Sequence, residues 1–142
     1  MTQTIALSID RILENIYAYS ALDYYTTKNE RPTILGRNEA PALRQLIRNS
    51  ATSLIYRLTP PAIGCNLDDD EIITIDFEIA ENFALLRSYL ESILAAQAMS
   101  VAWTGASTNL SNFYADAVEQ DIEILLAKLR LSDKPGRIRA GM

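Results

Sequence analysis

The spacing of apolar and polar positions divides the chain into four helical stretches and one extended stretch. Ile9, Ile12, Leu13, Ile16 and Tyr17 follow the i, i+3, i+4, i+7 spacing of a single helix face, which predicts a first helix from Ser8 to about Thr26. Ser8 is placed to cap it, and Asp10 puts negative charge in its first turn. Leu43, Leu46, Ile47, Ser50, Leu54, Ile55 and Leu58 trace a second helix over about Glu39 to Leu58. Pro41 suits its first turn, and Pro60-Pro61 stops it because proline lacks an N–H and clashes with the preceding turn. Phe83, Leu86, Leu90, Ile93, Leu94, Gln97 and Val101 predict a third helix over about Ala80 to Trp103, with Leu85, Tyr89 and Ala96 thickening the stripe. Leu110, Phe113, Tyr114, Ala117, Val118, Asp121, Ile124, Leu125 and Leu129 predict a fourth over about Asn109 to Leu131. Ser107, Thr108 or Asn109 would cap it, and Lys128 and Arg130 suit its C-terminal dipole. Gly105 is the expected turn residue between the last two helices, able to take positive φ.

Between the second and third helices the period changes to two. Ile73, Ile75, Phe77 and Ile79 alternate with Thr74, Asp76 and Glu78, the pattern of a half-buried strand. A lone strand leaves its backbone groups unpaired, and the nearest partner is Ala62 to Leu67 across the loop Asp68-Asp69-Asp70-Glu71. The expected fold is therefore mainly α: an antiparallel four-helix bundle with one short β-hairpin at about 62–79 and an extended C-terminal tail. The body covers 1–131 and the tail 132–142, which contains Pro135, Gly136 and Gly141. Lys28 to Asn38 reads as a loop.

At 142 residues the chain reads as one domain, and 49% apolar with 22% charged residues is the composition of a globular protein. The single cysteine, Cys65, excludes an internal disulfide and reads as a small apolar filler beside Gly64. No basic residue precedes the apolar positions of Met1 to Asp10, so this is not the pattern of a signal peptide. Ser92 to Ala115 carries no charge, but a spanning helix would bury Gln97, Ser100, Thr104, Asn109 and Asn112, so no membrane span is expected.

Chemistry is hard to place in this sequence. Histidine is absent, which removes Ser/His and Cys/His nucleophile activation and most zinc sites. There is no Gly-rich phosphate loop. Asp76, Glu78 and Glu81 are the nearest thing to paired acid–base carboxylates, but Asp76 and Glu78 share the polar, solvated face of the strand. Asp68 to Glu71 lacks the alternating ligands and central glycine of a calcium loop, and reads as a solvated hairpin tip. No enzyme activity, cofactor or metal is expected.

Charge is segregated along the chain. Of the formal net charge of −5, residues 1–127 carry −9, while Lys128, Arg130, Lys134, Arg137 and Arg139 against Asp133 give the end +4. A short basic tail on an acidic body gives little support for nucleic-acid binding, which wants a broad basic face. It fits a subunit whose tail reaches a neighbour. The candidate interface is therefore Arg137, Ile138 and Arg139 against Asp68, Asp69, Asp70, Glu71, Asp76 and Glu78. Tyr17, Tyr19, Tyr24 and Tyr25 cannot all face one core. Tyr17 and Tyr24 are assigned to it, and Tyr19 and Tyr25 to an interface.

Ala95 to Trp103, the polar turn after it, Ser111-Asn112-Phe113-Tyr114 with its alanine-containing helix, and Lys134-Pro135-Gly136-Arg137-Ile138-Arg139 together resemble small helical proteins of Bacteroidetes phages and prophages. The layout is similar to head–tail connector (neck or adaptor) proteins of tailed bacteriophages. That resemblance implies a non-enzymatic virion protein, assembled in the bacterial host cytoplasm. It would form or join a homo-oligomeric ring and contact portal and tail components. A cytoplasmic helical adaptor for one protein partner is the alternative, and a small enzyme using carboxylate or tyrosine chemistry is a third class.

Overall fold

The computed structural model describes residues 2–26, 35–79, 84–105 and 107–133. The chain runs β1 (Thr2–Ser8), α1 (Ile9–Thr26), a 3₁₀ turn (Arg37–Glu39), α2 (Ala40–Arg57), β2 (Ala62–Asn66), β3 (Ile72–Glu78), α3 (Leu86–Ala102) and α4 (Thr108–Asp133). It is mainly helical, with a small three-stranded antiparallel sheet in the order β1-β3-β2.

The first strand corrects the two-strand expectation. In β1, Ile5 and Leu7 alternate with Thr4 and Ala6, and they pair opposite Ile75 and Ile73 of β3. Ile5, Leu7, Ile73, Ile75 and Phe77 are buried together on the inner face. On the outer face Thr4 pairs with Asp76 and Thr2 with Glu78. The expected alternation in β3 is therefore present: Thr74 and Asp76 are half-buried and Glu78 is exposed. A β-bulge between Ala62 and Gly64 turns Ile63 out to solvent on β2. Cys65, expected as filler, is an exposed free thiol on the edge strand β2.

Ser8 ends β1 and caps α1, its hydroxyl accepting from Arg11 N–H at 3.2 Å. Ile9, Ile12, Leu13 and Ile16 face the core and Tyr17 packs against it. In α2 Leu43, Ile47, Ser50 and Leu54 are buried, with Leu46 and Ile55 half-buried. α3 is the hub of the body and packs against α1, α2, α4 and β1. A hub helix must be apolar on most of its circumference, and Leu86, Leu90, Ile93, Leu94, Ala95, Ala98 and Met99 are all buried.

Several helical assignments need correction. α3 begins at Leu86, and Leu85 is exposed in the turn before it, while residues 80–83, including Phe83, lie outside the described residues. Val101 is exposed in the last turn of α3, because the chain there folds Trp103 onto the core in its place. α4 meets chiefly α3, so its buried arc is narrow: Leu110, Tyr114, Val118, Ile122, Leu125 and Leu129. Phe113 and Ile124 lie about 40–60° outside that arc at 100° per residue and are exposed. Tyr24, assigned to the core, is exposed in the last turns of α1. Gly105 does not take positive φ. The turn stays right-handed, with Thr104 N–H bonded to Val101 O and Ser107 N–H to Trp103 O, so no left-handed residue is needed. α4 continues through Ser132 and Asp133, two residues into the expected tail. The remainder of that tail, 134–142, and most of the Lys28–Asn38 loop lie outside the described residues.

Candidate protein-interaction surface

The acidic loop is docked onto its own chain. Asp69 Oδ1 accepts from the N–H groups of Glu71 and Ile72, and Asn66 Oδ1 accepts from Asp68 N–H, which shapes the turn locally. Arg44 and Arg48, four residues apart on one face of α2, reach it from the side. Arg44 donates to Asp70 O and Arg48 to Asp69 O and Asp70 Oδ1. Arg44 also pairs with Asp10 at 2.7 Å. On the sheet, Thr4 donates to Asp76 Oδ1 at 2.7 Å and Thr2 to Glu78 Oε2 at 2.9 Å. Of the acids expected to receive a basic tail, the carboxylates of Asp69, Asp70, Asp76 and Glu78 thus already have partners in their own subunit. Arg137, Ile138 and Arg139 lie outside the described residues.

Two further ion pairs join elements of the body. Glu91 of α3 is buried beneath the β1–α1 junction, where its carboxylate accepts from Ser8 N–H at 2.9 Å and from Arg11 Nε and Nη2 at 3.1–3.2 Å. Pairing a buried carboxylate with several donors is what makes its burial tolerable. Arg57 of α2 grips Glu119 of α4 with two parallel bonds of 2.7 and 2.8 Å, which holds the Glu119 carboxyl below its ordinary range. The Trp103 indole N–H is buried with no acceptor among the described residues. A void of about 20 Å³ between α2, α3 and α4, lined by Leu54, Ile93 and Val118, has room for a single water at most.

Of two larger clefts, one lies between α1 and α2. Its charged groups cancel internally as Arg44–Asp10 and Arg37–Glu14 pairs. The second, of about 350 Å³, lies between α1, α3 and α4. Its rim is apolar: Leu22 is 60% exposed, Phe113 62% and Tyr19 43%. Its charged lining consists of Asp23 and Asp121, with no basic side chain among the lining residues. At its base Tyr114 donates to Asp23 Oδ2 at 2.6 Å, and its ring meets Phe113 edge-on with centroids 5.2 Å apart. Burial pushes the Asp23 carboxyl above its ordinary range, and the bond from Tyr114 partly offsets this. Burial, and then the bond to Asp23, push the Tyr114 phenol well up, so it stays a donor at any physiological pH.

Tyr19 is thus exposed, as assigned, and the side chain of Tyr25 lies outside the described residues. Sequence reasoning did not reach Asp23, Leu22 or the outward face of Phe113. The available signal was that Leu22 and Phe113 are apolar outside the arcs their helices need for the core, and that Asp23 is a lone acid on the Ile9–Ile12–Ile16 face of α1. Among the described residues no group of three metal-ligating side chains converges, and no helix is long and apolar enough to cross a membrane. The uncharged Ser92–Ala115 stretch divides into the end of α3, a turn and the start of α4. Comparison with protein-family models, curated proteins and solved structures gave no match.

Proposed function

We propose that this chain is a non-enzymatic structural subunit, a head–tail connector protein of a tailed bacteriophage that forms or joins a ring at the portal–tail junction. The observation that carries this reading is the apolar, acid-lined cleft of Tyr19, Leu22 and Phe113. Large apolar side chains left together at a surface mark contact with another protein. The resemblance of the sequence to connector proteins and the opposed charge of body and tail support the same reading. In it α1–α4 form an antiparallel bundle, the β2–β3 hairpin stands beside it, and 134–142 is a basic arm. The protein is placed in the virion after assembly in the host cytoplasm, beside portal and tail components.

The test is mass. Light scattering coupled to size exclusion and negative-stain electron microscopy, with and without a tailed-phage portal protein, should give a multi-subunit ring or a complex with portal. A particle that stays monomeric or dimeric under both conditions rejects the connector reading in favour of the adaptor. Removing residues 134–142 should reduce assembly while the body keeps its helical circular dichroism.

A further inference from the structure

We propose that the α1–α3–α4 cleft is the receptor for residues 134–142 of a second copy of this chain, with Ile138 on the apolar rim and Arg137 and Arg139 beside Asp23 and Asp121. This rests on the assembly reading above and moves the tail's docking site from the acidic hairpin to the cleft.

Three observations carry it. The first is complementarity. Residues 134–142 hold Lys134, Arg137 and Arg139 and no acidic side chain, with Ile138 between the arginines. The cleft offers the reverse arrangement, an apolar rim of Leu22, Phe113 and Tyr19 with Asp23 and Asp121 as its charged lining. Alternate charged and apolar side chains on an extended segment point to opposite sides, so Ile138 can sink while its neighbours spread to the rim. The second is competition. Arg48 holds the Asp70 carboxylate and the Asp69 carbonyl, Arg44 the Asp70 carbonyl, and Asp76 and Glu78 accept from threonines. A tail arginine at Asp70 would share that carboxylate with Arg48, whereas at Asp121 it meets no basic side chain among the lining residues.

The third is reach. α4 ends at Asp133, so Ile138 lies five residues beyond it and at most about 17 Å away in a fully extended chain. Ala117, in the middle of the cleft wall, lies sixteen residues back along α4, about 24 Å at 1.5 Å per residue, and Phe113 about 30 Å. A straight tail thus falls about 13 Å short of Phe113 on its own subunit. Seating Ile138 against Phe113 therefore joins two copies. Because each copy offers one tail and one cleft at different places, the contact is head-to-tail and propagates into a ring or a filament.

Two single-cysteine full-length chains test this in a Cys65→Ser background, one carrying Ser92→Cys on the cleft wall and the other Ala140→Cys on the tail. Mixed and treated with a short bismaleimide, they should give the heterodimer, identified by mass. Its yield should be at least about fivefold above that of Tyr56→Cys paired with Ala140→Cys, since α2 contributes nothing to the cleft. Adding Asp121→Lys to the cleft chain should lower the yield about fivefold, the scale of one exposed ion pair. Adding Ile138→Asp to the tail chain should lower it about tenfold, the scale of one buried aliphatic side chain. Equal yields at Ser92 and Tyr56, or no response to Asp121→Lys and Ile138→Asp, would overturn the proposal. If light scattering shows a multi-subunit particle while the Ser92 heterodimer is absent, the docking site is wrong and the connector reading stands. If the chain is monomeric and no heterodimer forms, both fall.

Discussion

Replacing Tyr114 by Phe removes one hydroxyl and leaves the ring, which isolates the bond that joins α4 to α1 at the base of the cleft. That bond is short, 2.6 Å, and its acceptor Asp23 is half-buried and raised in pKa chiefly by burial. Above its raised folded pKa Asp23 is charged, and a hydrogen bond to a charged group contributes about 1.5–3 kcal/mol. Water reaches Asp23 and screens it, so the expected loss for Tyr114→Phe at pH 7 is about 1–2 kcal/mol. Below that pKa the carboxyl is protonated and the lost bond is neutral, worth about 0.5–1 kcal/mol. The direction with pH follows from linkage. A carboxyl whose folded pKa exceeds its unfolded value binds more protons when folded. It favours folding below the unfolded pKa and loses that contribution as pH rises through the folded pKa. Removing the Tyr114 donor raises the folded pKa further, so the variant's deficit grows from pH 3.5 to pH 7. Trp103, the single tryptophan, is buried and reports unfolding by fluorescence in urea. A deficit that is equal at both pH values, or larger at the acid one, would refute the charge-assisted reading of this bond.

Ile75→Asp puts a carboxylate into the centre of the sheet's buried face and should cost about 2–4 kcal/mol in urea denaturation, where a neutral result would contradict the packing of β3. A double-mutant cycle on Arg57 and Glu119 should give a coupling of about 0.2–1 kcal/mol that shrinks in 1 M salt. Arg57 lowers the folded pKa of Glu119, so the same coupling should be present above the unfolded pKa and vanish as pH falls through the folded one. The Cys65 thiol, exposed on edge strand β2, should react with an aromatic disulfide reagent in the native protein at close to the rate seen in urea, and strong native protection would place it elsewhere.

Much of the helical body is legible because a helix that buries one face must repeat its apolar residues at 3.6, and Leu43–Ile47–Leu54 and Ile9–Ile12–Ile16 do so. β3 is legible for the same reason at period two. β1 is harder to read, since Ile5 and Leu7 are its only buried apolar side chains and two alternations do not separate a strand from the approach to a helix. The width of each buried arc depends on how many neighbours a helix meets, which periodicity does not carry. α3 meets four elements and buries most of itself, whereas α4 meets chiefly one and leaves Phe113 and Ile124 outside. The cleft was illegible for a related reason. Asp23 and Tyr114 are 91 positions apart, and nothing local in either helix announces the other. The docking of the acidic loop was within reach, because Arg44 and Arg48 stand at i, i+4 on the helix just before it.

The position of β1 in the sheet sets a timetable for synthesis. Thr2 bonds to Glu78, 76 residues later, while β2 meets β3 across a short loop. On a ribosome adding about 5–20 residues per second, β1 is made roughly 4–15 s before the strand it needs. During that interval its Ile5 and Leu7 and its backbone have no sheet to join, and the nascent chain presents a short sticky strand. Helices α1 and α2 can form locally meanwhile, but the closure of the sheet must await β3, and the seating of Ser8 on Glu91 must await α3. The last third of the chain therefore emerges onto a body whose first seven strand residues have only just found their place.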